Sequence, residues 1–296
     1  MTDKIVLVGS RGRMGGMLLR RAQAAGLDVA PLDISDERPA AEAFGVAVSG
    51  RGAALFAPEA VAAACRGAGL VLLCVPAAAL KETAALLRPH LPPSAVLSDI
   101  VSVKEQPMRQ MCDVWPHAVV GTHPLFGPRP AEGEELPVAV TPAADVPDEA
   151  VRKVEDFFTA LGCRCFRTTA QAHDRAMARV QNMNFITTLA YFALLAGDEE
   201  LLPYITPSFR RRQAAARKML TEDGAMFCAL FEANPYSHEA VRQYRQMLNV
   251  AAGGDIDLLC RRARWWWREE EGTADGEDAR GKADPVCLMK NVSPSP

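Results

Sequence analysis

The chain has 296 residues, 49% of them hydrophobic and 23% charged, with a formal net charge of −3. That length suits two domains, and the composition supplies a core without disulfides or structural metals. A slightly acidic balance with no dominant basic patch argues against nucleic acid or an anionic membrane as partner, and the longest apolar runs fall far short of a bilayer span.

Residues 2–4 are polar and lead straight into an apolar run, so no signal peptide is expected and a cytoplasmic location is. In chain order, residues 4–8 read as a strand, 12–25 as a helix and 27–32 as a second strand. Residues 70–75 form a fully apolar run closed by Pro76, as in a buried parallel strand. Residues 77–87 read as helix, 95–100, 119–122 and 138–141 as strands, 148–161 as an amphipathic helix and 163–168 as a closing strand. Strand and helix taking turns predicts an α/β fold, a doubly wound and mostly parallel sheet over residues 1–168. Beyond it strand signals fade. Residues 170–196, 208–233, 237–253 and 256–268 read as helices, giving an all-helical domain over 169–268. Its crowded apolar residues Phe192, Leu194, Leu195, Leu201 and Leu202 suggest a homodimer surface. Residues 269–296, with mixed charges and scattered glycines, read as a flexible tail. The eight cysteines contain no CxxC pair and no histidines stand near them at ligand spacing, so reduced thiols and no metal site are expected.

The first strand runs into Gly9-Ser10-Arg11-Gly12-Arg13-Met14-Gly15, the strand–turn–helix setting of a Rossmann-type dinucleotide loop. Gly12 lets the backbone approach a pyrophosphate, Gly15 lets the helix pack close to the sheet, and the helix N-terminus offers N–H groups to the phosphates. Ser10 stands where the first glycine of GxGxxG would, with Gly9 one residue earlier. Asp33 ends the second strand 18 residues after Gly15, where an acid accepts ribose hydroxyls and repels a 2′-phosphate, favouring NAD over NADP. A solvated loop aspartate is the alternative, and Asp36 and Arg38 lie close enough to compete for the role. Val75 and Pro76 end another strand at the edge where the nicotinamide half would lie.

Two further segments emerge at that carboxyl edge: Leu97-Ser98-Asp99-Ile100-Val101-Ser102-Val103-Lys104, and Val119-Val120-Gly121-Thr122-His123-Pro124-Leu125-Phe126-Gly127-Pro128. With the Gly9–Gly15 loop and His173-Asp174-Arg175, they make the chain resemble the prephenate and arogenate dehydrogenases of tyrosine biosynthesis over about 265 residues. The resemblance implies NAD-dependent oxidative decarboxylation of prephenate to 4-hydroxyphenylpyruvate, with a helical domain that makes a homodimer. The length leaves no room for the fused chorismate mutase domain that some relatives carry, so a monofunctional enzyme is expected. As hydride leaves the ring carbon, the hydroxyl on it becomes a carbonyl and its proton needs an acceptor. His123 is the candidate base, because it alone of the five histidines sits at a strand end between Gly and Pro residues. By the same resemblance Ser102 would bond the imidazole or the substrate hydroxyl and touch the nicotinamide. Ser102 could equally cap the helix that begins near Lys104.

A substrate with two carboxylates should meet a cation from the helical domain. Where relatives place an arginine this chain has Lys218, a point charge rather than a fork, with Arg217 beside it and Arg210 a lesser candidate. A solvated basic helix face is the competing reading. Relatives often carry a histidine within residues 181–185; here Gln181 or an asparagine would replace its hydrogen bonds. Arg129 stands where relatives commonly have an acid, and could meet a carboxylate, a phosphate or only solvent. His173 and Asp174 read as structural, Asp174 as a cap or hinge contact. A related hydroxyacid or pyrroline-carboxylate dehydrogenase is the nearest alternative, although residues 170–195 lack the lysine a hydroxyacid type would want. A non-catalytic dinucleotide-binding sensor dimer is the alternative from another class.

Overall fold

The structure, a computed structural model, describes residues 4–33 and 58–268; the expected tail, Asp36 and Arg38 lie outside the described residues. Seven strands form one sheet: β1 (Lys4–Val8), β2 (Val29–Leu32), β3 (Ala68–Leu73), β4 (Val96–Asp99), β5 (Val119–Pro124), β6 (Pro137–Pro142) and β7 (Arg164–Arg167). Their order is β2-β1-β3-β4-β5-β6-β7. All neighbours run parallel except β5 and β6. The order reverses between β1 and β3, which creates the crevice where ligands bind in open α/β sheets.

The side-chain alternation of the central strands builds a core on each face. Val6, Val8, Val71, Leu73 and Leu97 pack with α2 (Pro58–Cys65), α3 (Ala77–Leu87) and α4 (Glu105–Val114) through Val61, Leu80, Leu87, Met108 and Met111. On the other face Ile5, Leu7, Leu70, Leu72 and Val96 pack with α1 (Arg13–Ala24) and α5 (Asp148–Ala160) through Met17, Leu18, Val154 and Phe158. This is the doubly wound arrangement the alternating pattern predicts.

The helices that follow are α6 (Ala170–Met177), α7 (Met183–Leu194), α8 (Pro207–Thr221), α9 (Gly224–Ala233), α10 (Ser237–Ala252) and α11 (Ile256–Ala263). Two of the long helices read from sequence are divided. A π turn, Ala178–Asn182, separates α6 from α7, and Asn182 in it is buried with Nδ2 donating to Ser237 Oγ at 2.9 Å. Such turns add a residue to the helix and recur at functional sites. Residues 208–233 split at Glu222–Asp223, where the Asp223 side chain is drawn to cations instead of continuing a helix face.

Secondary structure does change at 168/169, but the chain resolves into compact units at a different place, Met1–Val241 and Arg242–Pro296. Long-range hydrogen bonds join the chain after residue 169 to the start of α4. Asp174 bonds the start of α4, and Tyr236 donates its hydroxyl to Glu105 at 2.6 Å. The second unit holds the end of α10, then α11, capped by Asp255 accepting from the Leu258 amide at 3.2 Å, and a short turn with exposed Trp265, Trp266 and Trp267.

Candidate active site

The loop after β1 lies at the switch point between β1 and β3. Gly9 has φ +83° and a Cβ there would stand 2.4 Å from the Cys74 carbonyl oxygen. A Cβ on Gly15 would stand 2.1 Å from the Gly9 carbonyl, so the loop and the first turn of α1 close on each other only as glycines. Gly12 precedes α1 in extended conformation, and Ser10 is buried beneath the loop. The first-turn amides of α1 are left for an anion. Asp33 reaches the loop and accepts the Arg11 amide at 2.5 Å. Met14 is half-buried against the sheet core. Val75 is half-buried and Pro76 exposed at the start of α3, beside the same crevice.

At the ends of β4 and β5 a buried polar cluster replaces the apolar core. Lys104 is 0% exposed, and its three ammonium donors are all taken: Asp99 Oδ1 at 2.8 Å, Asp99 Oδ2 at 2.6 Å and the Thr122 carbonyl at 2.7 Å. Asp99 Oδ2 also accepts the Val101 amide at 2.9 Å, and Thr122 Oγ1 donates to the Asp99 carbonyl at 2.5 Å. Burial pushes the Lys104 ammonium down and the Asp99 carboxyl up, and each opposes the shift of the other. The absence of a side chain at 121 makes room for this: a Cβ on Gly121 would meet Met108 Sδ at 2.4 Å and Thr141 Oγ1 at 2.6 Å.

His123, next to Thr122 on β5, is 4% exposed. Its Nδ1 lies 2.9 Å from Nε2 of His173, and the rings meet edge to face. His173 Nδ1 lies 2.8 Å from Asp174 Oδ1. The same oxygen accepts the Lys104 amide at 2.7 Å, and Oδ2 accepts the Glu105 amide at 2.9 Å, so Asp174 caps α4. His123 Nε2 has no hydrogen-bond partner among the described residues. Burial first, then His173 and Lys104, hold the His123 imidazole well below its ordinary pKa. The lowered pKa favours the neutral ring, and one ring nitrogen is left open at the carboxyl edge of the sheet.

The remaining candidates are placed as follows. Ser102 is half-buried between Val101 and Val103; its hydroxyl makes no hydrogen bond among the described residues, and the cap of α4 comes from Asp174 instead. Gln181 is half-buried in the π turn. Arg210, Arg217 and Arg129 are exposed. Lys218 is exposed, with Nζ 3.9 Å from Asp223 Oδ2, while Asp223 Oδ1 takes Arg13 of the glycine loop at 2.9 Å. His173 was not among the site residues expected from sequence. The signal available for it was a His-Asp pair opening a helix capped by Thr169. Among the described residues no group of three or more His, Cys, Asp or Glu could hold a metal ion, and no helix is long and apolar enough to cross a membrane.

Fold and site together define a dinucleotide-binding α/β protein with a buried polar cluster at the sheet edge. The chain is similar to the prephenate dehydrogenase family. Residues 34–167 match the family model "Prephenate dehydrogenase, nucleotide-binding domain". The T-protein of Enterobacter agglomerans is 26% identical over 251 residues, covering 83% of this chain and 61% of the relative. The cyclohexadienyl dehydrogenase of Zymomonas mobilis is 31% identical over 176 residues, 54% of this chain and 60% of the relative. The chain thus spans about three-fifths of the length of these curated relatives. Among solved structures, prephenate dehydrogenase from A. aeolicus, in complex with hydroxyphenyl propionate and NAD+, superposes with a TM-score of 0.71 at 18% identity, covering 92% of this chain and 98% of that one. At that identity the likeness concerns the fold.

Proposed function

We propose that this chain catalyses the NAD-dependent oxidative decarboxylation of prephenate to 4-hydroxyphenylpyruvate, with His123 as the general base. The observation that carries this reading is His123 itself, buried at the end of β5 with Nδ1 tied to His173 and Nε2 open. The glycine cradle fits a dinucleotide, since side chains at 9 and 15 would collide with Cys74 and Gly9 backbone. Gly9, Ser10, Arg11, Gly12, Arg13, Met14 and Gly15 would hold NAD, with Asp33 toward the ribose and Val75, Pro76 and Ser102 toward the nicotinamide. Bound NAD supplies a hydride acceptor. His123 Nε2 takes the proton of the ring hydroxyl as the carbonyl forms. Loss of carbon dioxide then follows from aromatisation and needs no further base. Lys218, Arg217 or Arg210, with Gln181, meets the substrate carboxylates. Leu194, 80% exposed, and Leu202, 62% exposed, support a dimer that covers this face.

The test is the absorbance of reduced nicotinamide after prephenate and NAD are added to the purified chain. Turnover is expected. Binding of NAD without turnover of prephenate or of arogenate would instead favour a sensor, and turnover of arogenate alone would move the substrate to that amino acid.

A further inference from the structure

His123 can act as a base at Nε2 only if its proton resides on Nδ1, and two residues outside the expected site decide that. A carboxylate has acceptors only. Facing Asp174 Oδ1 at 2.8 Å, His173 Nδ1 is therefore the donor. A neutral His173 with its proton on Nδ1 presents a lone pair at Nε2. That lone pair lies 2.9 Å from His123 Nδ1, which must then carry a proton and donate it. The open nitrogen of His123 is left with the lone pair. All three side chains are buried, with exposures of 4%, 3% and 0% for His123, His173 and Asp174, so water does not compete for these bonds.

We infer that His173 and Asp174 are positioning residues that lock His123 into the tautomer with its proton on Nδ1 and its lone pair on Nε2. The inference rests on His123 being the base. The anchor of the line is the start of α4, because the amides of Lys104 and Glu105 hold the Asp174 carboxylate while His173 donates to it. When the substrate hydroxyl gives its proton to Nε2, the O–H electron pair becomes the second bond of the new carbonyl, and His123 becomes an imidazolium. Burial first, then His173 and the Lys104 ammonium, oppose that cation, so the line fixes the tautomer and does not raise the basicity. Its Nδ1–H points at the Nε2 lone pair of His173, beyond which stands the Asp174 carboxylate.

The direct test is nitrogen NMR of the imidazoles in the full-length protein at neutral pH, with His123→Asn used to assign the resonances. The expected result is a protonated Nδ1 and a bare Nε2 on His123. A bare Nδ1 and a protonated Nε2 would overturn the inference. The functional test is Asp174→Asn. Removing the carboxylate charge takes away what compels His173 to donate from Nδ1, so the line loses its hold on the His123 tautomer. We expect kcat to fall by about a hundred-fold or more with the KM for prephenate and the affinity for NAD little changed. Parental kcat in that variant would also overturn the inference. Should loss of the α4 cap unfold Asp174→Asn, the spectrum of the parent protein decides alone. A parent that shows the expected tautomer but turns over neither prephenate nor arogenate would sink the proposed activity and leave the tautomer assignment standing.

Discussion

The ammonium of Lys104 lies 2.7 Å from the carbonyl oxygen of Thr122, the residue that immediately precedes His123. With both Asp99 oxygens also on that ammonium, the ends of β4 and β5 are fastened together one residue before His123. Removing one partner of a buried ion pair leaves the other charge uncompensated, at about 3–5 kcal/mol. Lys104→Met should lower stability by about that much, seen as a reduced urea midpoint, and adding Asp99→Leu should recover part of the loss. A single variant as stable as the parent would show that the pair contributes nothing.

Replacing His123 with Asn keeps a hydrogen-bonding side chain and removes the base. We expect kcat to drop by about a hundred- to ten-thousand-fold, with a much smaller change in KM for prephenate. Steady-state kinetics on the purified variant check this, and near-parental kcat would remove His123 from the mechanism.

The pH dependence has a defined sign. His123 is pushed well below 6.5 in the folded protein, by burial first and then by His173 and Lys104. The neutral form that can accept a proton therefore persists to lower pH than an ordinary histidine allows, and the acid limb of kcat/KM, which reports the free enzyme, should fall below pH 6.5. Stability shows the reverse side of the same shift. As pH drops below 6.5 the unfolded chain binds a proton at this residue and the folded one does not, so His123 costs up to about 1.4 kcal/mol per pH unit until its folded pKa is reached. A rate profile with an acid limb at or above 6.5 contradicts the assignment.

Asp33→Ser should narrow the preference for NAD over NADP by weakening NAD. Because Asp33 also accepts the Arg11 amide, the substitution loosens the loop as well, and affinity for both cofactors should decline somewhat. Titrations of NAD and NADP with each protein separate the two effects: an unchanged ratio would place the ribose contact elsewhere.

Lys218→Met or Arg217→Met should raise the KM for prephenate strongly while leaving kcat nearly intact, as expected when a substrate carboxylate loses its cation. An unaltered KM in both variants would leave these residues as a solvated helix face.

Much of this arrangement was legible in the sequence because it is local. The apolar run ending at Pro76 reads as a buried strand, and strand–Gly–helix at residues 4–24 reads as a dinucleotide loop, since a few neighbouring residues settle each. Asp99 and Lys104 were visible as parts of a motif, but nothing in their spacing shows that they bond each other inside the protein. The contact between His123 and His173 joins residues 50 positions apart and depends on how α6 docks against β5, which no local pattern reports. The π turn was hidden for another reason. Residues 170–196 keep helical composition throughout, and the wider turn is set by packing around Asn182.

Asp223 holds Arg13 with one carboxylate oxygen and stands near Lys218 with the other. A single negative charge thus serves both the loop proposed for the dinucleotide and the cation proposed for the substrate. Any anion that draws Arg13 or Lys218 away changes what remains for the other. The two affinities are therefore not separate dials: re-engineering residue 13 for a different cofactor should carry a change in substrate KM with it.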